Sequence, residues 1–186
     1  ARGDQCDACG ATYEANELKD PVSKLNPEIP VEIRETDHLF FRLDLLQDDL
    51  ETHAASRRST WKPNVRAMTQ NWLNMGLRPR AVTRDIEWGV KIPLDDEVWG
   101  EKRVYVWFDA VQGYLTCARI WSERIAEESG SESDIWRRWW MDSGNLRHIY
   151  FMGKDNIPFH TIIWPGILMA LNRGREDPER LHLEDN

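Results

Sequence analysis

Two apolar runs, each ending in a polar or glycine-bearing turn and each followed by a helical pattern, constrain this fold more than any other feature. Arg103-Val104-Tyr105-Val106-Trp107-Phe108 has the length and near-continuous apolar character of a buried parallel strand. It runs into Asp109-Ala110 and then a helix with apolar residues at Tyr114, Ala118, Trp121 and Ile125, one stripe at steps of four, three and four. A short second helix carries Ile135, Trp136, Trp139 and Trp140. The second run, His148-Ile149-Tyr150-Phe151-Met152, ends in Gly153-Lys154-Asp155-Asn156 and opens a helix from about Pro158 to Leu171. Asn156 is placed to cap that helix and Pro158 to occupy its first turn, while Pro165 predicts a kink near Trp164. Strand, helices, strand, helix is a βαβα unit, so the two strands are expected to be parallel with a right-handed crossover. Ligands of such sheets sit beyond the carboxyl ends of the strands, which gathers Trp107, Asp109, Gly153 and Asp155 around one crevice, with His160 pointing toward its mouth.

The first half has a looser grammar. Residues 14–30 read as loop, with turns at Asp20-Pro21 and Asn26-Pro27. Strand-like runs follow at Val31-Glu32-Ile33-Arg34 and at His38-Leu39-Phe40-Phe41-Arg42-Leu43, then a short acidic helix over Leu45 to His53. Thr60-Trp61-Lys62-Pro63 opens a helix carrying Val65, Met68, Trp72 and Met75, which Gly76 closes. The basic extended stretch 77–85 is either a solvated loop or a contact for an anionic ligand. With 24 Lys and Arg against 32 Asp and Glu, the chain carries a net charge of −8, so any nucleic-acid contact must be local and basic. No stretch has the apolar length of a membrane span.

Cys6 and Cys9, in Gly3-Asp4-Gln5-Cys6-Asp7-Ala8-Cys9-Gly10, are spaced to offer two thiolates to one cation. A closed structural zinc needs four ligands; Cys117 belongs to a distant helical pattern and His38 has no partner at ligand spacing. The pair is either a redox or incidental dithiol or half of a zinc site whose other half lies upstream. A metal clip of this kind suits a reducing cytoplasmic setting. Ala1 in place of an initiator methionine, together with the half-site, leads to the expectation of an internal piece of a longer chain.

At the chemistry-bearing positions, Gly153 permits close approach of a ribose or phosphate, Asp155 can accept ribose hydroxyls, and the following helix start favours anions. The same strand–turn–helix pattern is also common structural punctuation. His160 reads equally as a satisfied helix-flank histidine, and Trp107 and Trp164 as core. Walker A, dinucleotide-fingerprint and nucleophile-elbow patterns are absent from the sequence, and no catalytic group is identified.

Val106-Trp107-Phe108-Asp109-Ala110-Val111-Gln112-Gly113-Tyr114, followed by Gly153-Lys154-Asp155-Asn156-Ile157-Pro158-Phe159-His160-Thr161-Ile162-Ile163-Trp164-Pro165, resembles the methionyl-tRNA synthetase family of class I aminoacyl-tRNA synthetases. The cysteine knuckle is similar to that family's connective-peptide zinc domain, and Thr83-Arg84-Asp85-Ile86-Glu87-Trp88-Gly89-Val90 to its return into the catalytic domain. The resemblance implies an α/β fold: the second half of a Rossmann-like catalytic domain over 81–186, preceded over 1–80 by part of the connective-peptide domain. It implies an enzyme that activates methionine with ATP and Mg to methionyl-adenylate and transfers it to tRNA(Met), in the cytoplasm and without a membrane.

Carried over by position, Trp107, Ala110, Tyr114, Asn156, His160 and Trp164 line the methionine pocket. Gly153 and Asp155 hold the ATP ribose, Cys6 and Cys9 supply half a zinc site, and Arg84 and Asp85 lie at the edge of the site. An aromatic pocket with one polar reporter suits a soft thioether. Val111-Gln112 replaces the family's usual Pro-Ile, and Asn156 stands where a bulkier apolar residue is more usual, so pocket shape differs. The family's H-I-G-H and K-M-S-K-S signatures do not occur in these residues; no catalytic residue is assigned and activity is not expected of this segment alone. Exposed strand edges predict self-association, with no oligomeric state specified. The alternatives left open are a zinc-knuckle adaptor binding RNA or a protein partner, and a generic nucleotide-binding α/β enzyme.

Overall fold

The computed structural model describes residues 13, 15–23, 25–94, 97–141, 146–173 and 181. The chain divides into two compact units, Ala1–Asp37 and His38–Asn186. In the first, the described residues are loop-like apart from a 3-10 turn at Ala15–Glu17. The backbone is turned at Asn26, whose side chain accepts from the Glu28 amide (3.1 Å) and whose carbonyl accepts from Ile29 (3.2 Å). Val31 and Ile33 lie 46% and 79% exposed, so their alternation with polar neighbours does not produce a strand.

The second unit begins with β1 (Phe40–Phe41) and a tight turn at Leu43–Leu46, followed by α1 (Gln47–Ser56) and α2 (Pro63–Asn74). Pro63 occupies the first turn of α2, and Gly76, at φ 77°, closes it in a left-handed conformation that costs glycine little. Next come β2 (Arg80–Ala81), β3 (Thr83–Arg84), α3 (Glu97–Gly100) and β4 (Arg103–Val104). After these follow α4 (Val106–Ala110), α5 (Gly113–Ser129), α6 (Arg137–Trp140) and α7 (Trp164–Asn172).

The described strands form two antiparallel pairs, β1 with β2 and β3 with β4, and no parallel pair occurs among the described residues. The run 103–108 is therefore divided, against the sequence expectation. Arg103–Val104 pairs with β3, the Tyr105 amide bonds the Val82 carbonyl (2.8 Å), and the chain winds into α4 as Phe108 and Asp109 donate back to the Tyr105 carbonyl. A short apolar run fits a buried strand or a buried helical turn, and periodicity alone cannot separate them. Residues 148–152 are extended and alternate as a strand would: His148, Tyr150 and Met152 are half-buried, while Ile149 and Phe151 are 61% and 96% exposed. They belong to neither of the two described strand pairs.

The core gathers Leu43, Leu46 and Leu50 with Trp72 and Leu73 of α2, and Trp140 with Trp164, Ile167 and Leu168 of α7. A Cβ on Gly166 would stand 3.1 Å from Leu43 Cδ1, so glycine sets how closely α7 approaches the Leu43–Leu46 turn. On α5 the inward residues are Leu115, Ala118 and Ser122; of the expected stripe Ala118 meets the core and Ile125 is half-buried, while Tyr114 and Trp121 are 41% and 46% exposed. Ser122 is fully buried because its hydroxyl donates to the Ser133 carbonyl (2.6 Å) and accepts from the Trp136 amide (3.4 Å). A hydroxyl with both partners supplied costs little to bury.

Candidate functional site

The expected continuous helix after Asn156 is built from three pieces. A 3-10 turn covers Lys154–Asn156, a π-helical turn covers Phe159–Ile163, and α7 follows. Pro165 explains the middle piece. It has no N–H to offer the Thr161 carbonyl, and its ring crowds that carbonyl, so the preceding turn opens and the Trp164 amide bonds the Phe159 carbonyl five residues back. The expected kink is thus a widened turn just ahead of Trp164. Asn156 makes no side-chain capping bond.

That wide turn carries His160, nine-tenths buried. Its Nδ1 lies 2.8 Å from the Asn156 backbone carbonyl and its Nε2 lies 2.7 Å from the Tyr114 hydroxyl. A carbonyl oxygen only accepts, so Nδ1 bears the proton. In the neutral ring Nε2 is then the acceptor, and Tyr114 donates to it. One backbone carbonyl thereby fixes the tautomer, the ring plane and the direction of the tyrosine O–H.

Aromatic rings surround this chain of bonds. Tyr150 stands edge-on to Tyr114 at 4.8 Å between centroids and 5.4 Å from His160, and Tyr114 lies 5.6 Å from His160. Trp107 of α4 packs against Phe159 at 5.6 Å, one residue from His160. From beneath, α2 is pinned to the same turn by two buried hydroxyls: Thr69 donates to Thr161 (2.8 Å), which donates to the Ile157 carbonyl (3.0 Å).

Of the residues singled out in the sequence, Tyr114, His160 and the Asn156 backbone are joined directly. Trp107 reaches the same turn through Phe159, and Ala110 ends α4 on its exposed side. Trp164 is 1% exposed and edge-on to Trp140 at 5.8 Å, in the core. Gly153 and Asp155 are exposed. Gly153 adopts φ −71°, ψ 159°, open to any residue, and a Cβ there meets nothing within 4 Å. The chain's own packing therefore does not demand glycine at that position.

Arg84 stacks on Tyr105 at 3.9 Å and donates to the Ala81 and Thr83 carbonyls. Asp85 pairs with buried Lys102 at 2.6 Å, directly continuing the β3–β4 register. Cys6 and Cys9 lie outside the described residues. Among those described, no group of three or more His, Cys, Asp or Glu could hold a metal, and Cys117 is an exposed free thiol. Tyr150 is the member that sequence reasoning missed. The alternation of 148–152 was the available signal, since it puts Tyr150 on the inward side.

Comparison with known proteins gives a consistent result. The family profile described as tRNA synthetases class I (M) matches residues 1–185. The methionine–tRNA ligase of Thermoplasma acidophilum is 52% identical over 170 residues, covering 91% of this chain and 29% of its own length. That of Chlorobaculum tepidum is 45% identical over 186 residues, covering 100% of this chain and 25% of its own. Among solved structures, free Mycobacterium tuberculosis methionyl-tRNA synthetase superposes with a TM-score of 0.64 at 25% identity, over 99% of this chain and 33% of that one. The same enzyme bound by methionyl-adenylate gives 0.57 at 27% identity, over 78% and 24%. This chain thus spans less than a third of the curated relatives' length.

Proposed function

This chain belongs to the class I (M) tRNA synthetases and has their α/β fold, and from that premise we propose that it supplies the methionine-binding wall of a methionine–tRNA ligase. The proposed reaction joins methionine to ATP as methionyl-adenylate, releasing pyrophosphate, and then transfers the methionyl group to tRNA(Met), releasing AMP. The single observation that carries this reading is the Tyr114–His160–Asn156 bond chain, closed in by Tyr150, Trp107 and Phe159. A thioether gains from polarizable contact with ring faces and edges, while a fixed tyrosine–histidine pair supplies the polar asymmetry that separates sulfur from a methylene. Ala110 and Trp164 complete the pocket in this assignment.

Gly153 and Asp155 are assigned to the ATP ribose. The glycine that its own fold does not need is explained by close approach of a ligand, and the carboxylate by acceptance from hydroxyls. Cys6 and Cys9 are assigned as half of a zinc site on their spacing alone. The division into a connective-peptide part over 1–80 and a catalytic part over 81–186 stands on the same footing, as do a parallel arrangement of the strands and a cytoplasmic setting. No residue of this chain is given a catalytic role.

Calorimetric titration with methionine and norleucine tests the pocket. The expected outcome is saturable methionine binding, weaker binding of norleucine, and a loss of about tenfold or more in His160→Ala, as one pocket contact of about 1.4 kcal/mol implies. Equal affinity in wild type and His160→Ala would remove the assignment.

A further inference from the structure

The rings of Trp140, His148 and Tyr150, which lie outside both sequence motifs, lead from the core to the Tyr114–His160 pair. Trp164, 1% exposed, meets Trp140 edge-on at 5.8 Å between centroids, and Trp140 lies 4.6 Å from His148. His148 meets Tyr150 edge-on at 6.3 Å and 87°. Tyr150 in turn meets Tyr114 edge-on at 4.8 Å and 70°, and His160 at 5.4 Å. Each step falls in the range where ring quadrupoles favour edge-on or tilted contact.

A hydrogen bond fixes the core end of this row. His148 Nε2 lies 2.7 Å from the Trp139 carbonyl, which only accepts, so Nε2 bears the proton and donates. That bond ties the extended backbone around His148 to α6, whose Trp140 is buried. Tyr150 thus stands on a held backbone, its half-buried ring in contact with His148 and with both members of the pair.

The two members differ in how firmly they are held. His160 is nine-tenths buried, and the Asn156 carbonyl sets its ring plane from within its own turn. Tyr114 is the second residue of α5 and 41% exposed, outside the buried core. Its bond to His160 fixes the direction of the O–H, but a hydroxyl rotates about its C–O bond and leaves the tilt of the ring open. An edge-on ring at 4.8 Å supplies the missing constraint, because any swing of Tyr114 away from His160 gives up that contact as well.

We infer that Tyr150 is a positioning residue for methionine recognition: it holds the Tyr114 ring so that the O–H meets His160 Nε2, and His148 holds Tyr150 in turn. Neither Tyr150 nor His148 is given contact with the ligand. The bearing on methionine rests on the reading of the pair as the pocket wall, whereas the brace itself rests on the ring contacts.

Nitrogen NMR of the His160 ring in the free chain, with methionine calorimetry on the same variants, tests it. In Tyr150→Leu the Nε2 signal should move toward that of an acceptor without a donor, while Nδ1 stays protonated. Methionine affinity should fall about threefold to tenfold, the size of one aromatic pair contact. Tyr150→Phe keeps the ring and should keep the wild-type signal, with an affinity within about twofold of wild type. If Tyr150→Leu does not fold, His148→Phe, which keeps a ring and loses the donor to Trp139, should move the same signal in the same direction. Where wild type binds methionine, an unmoved Nε2 signal or an unchanged affinity in the folded variant overturns the proposal and leaves the pocket standing. Lost affinity in Tyr150→Phe with Nε2 unmoved also overturns it, since the Tyr150 hydroxyl would then touch the ligand. A signal that moves as expected in a chain whose wild type ignores methionine leaves the brace standing and removes the pocket.

Discussion

At the level of single residues, much is decided by which group holds a proton. The Asn156 carbonyl sets the tautomer of His160, and through it the direction of the Tyr114 hydroxyl. The sequence suggested Asn156 for its side chain, as a cap or pocket wall, yet the bond that organises the site comes from its backbone. That is why residue type at 156 was a poor guide: every residue presents the same backbone carbonyl. A second proton decision sits at the entrance to the core. The Arg42 guanidinium donates to Asp44 at 2.6 Å and holds its carboxyl below the ordinary value of 3.8. A carboxyl depressed in the folded state contributes stability above its unfolded value, and that contribution is lost as pH falls through the folded value. Asp44→Asn should therefore have a shallower loss of stability below about pH 4, read by urea unfolding at stepped pH. Identical acid limbs would show that Asp44 is not linked to folding.

Among the elements, helices were legible because their ends are marked in sequence. Pro63 and Gly76 bracket α2 as read, and Gly130, at φ 68°, ends α5. The strands were legible only in part: β1 lies inside the strand-like run 38–43, but an apolar run records burial and not hydrogen-bond partner, so 103–108 could divide between β4 and α4. The inward face of α5 was legible at Ala118 but not at Ser122, which is polar by type but satisfied by position. Two element-level outcomes follow. Thr69→Val removes the hydroxyl that ties α2 to the π-helical turn and should cost about 1 kcal/mol, read by chemical denaturation. Pro165→Ala returns a backbone donor to the turn that the proline holds open. It should tighten the turn toward regular helix and move His160 off Tyr114, lowering methionine affinity while the fold survives. Unaltered methionine affinity in Pro165→Ala would mean that the wide turn does not position His160.

For the molecule as a whole, the family was legible in two long motifs, and the packing explains why those motifs carry it. Residues 106–114 and 153–165 supply Trp107, Tyr114, Asn156, Phe159 and His160, which are far apart in sequence and meet through ring contacts and hydrogen bonds. Tyr150 was missed because it lies outside both motifs. Ile149 and Phe151, both exposed on one extended segment, predict concentration-dependent association of this chain. Size-exclusion at two concentrations should show it and Phe151→Lys should reduce it; an unchanging monomer would contradict the prediction. The central claim is that Tyr114 and His160 form the methionine wall, and nitrogen NMR of the His160 ring during methionine titration tests it most directly. The account predicts a protonated Nδ1 and an accepting Nε2 in the free chain, with the Nε2 signal shifting saturably as methionine binds. A ring protonated at Nε2 alone, or one indifferent to saturating methionine, would contradict it.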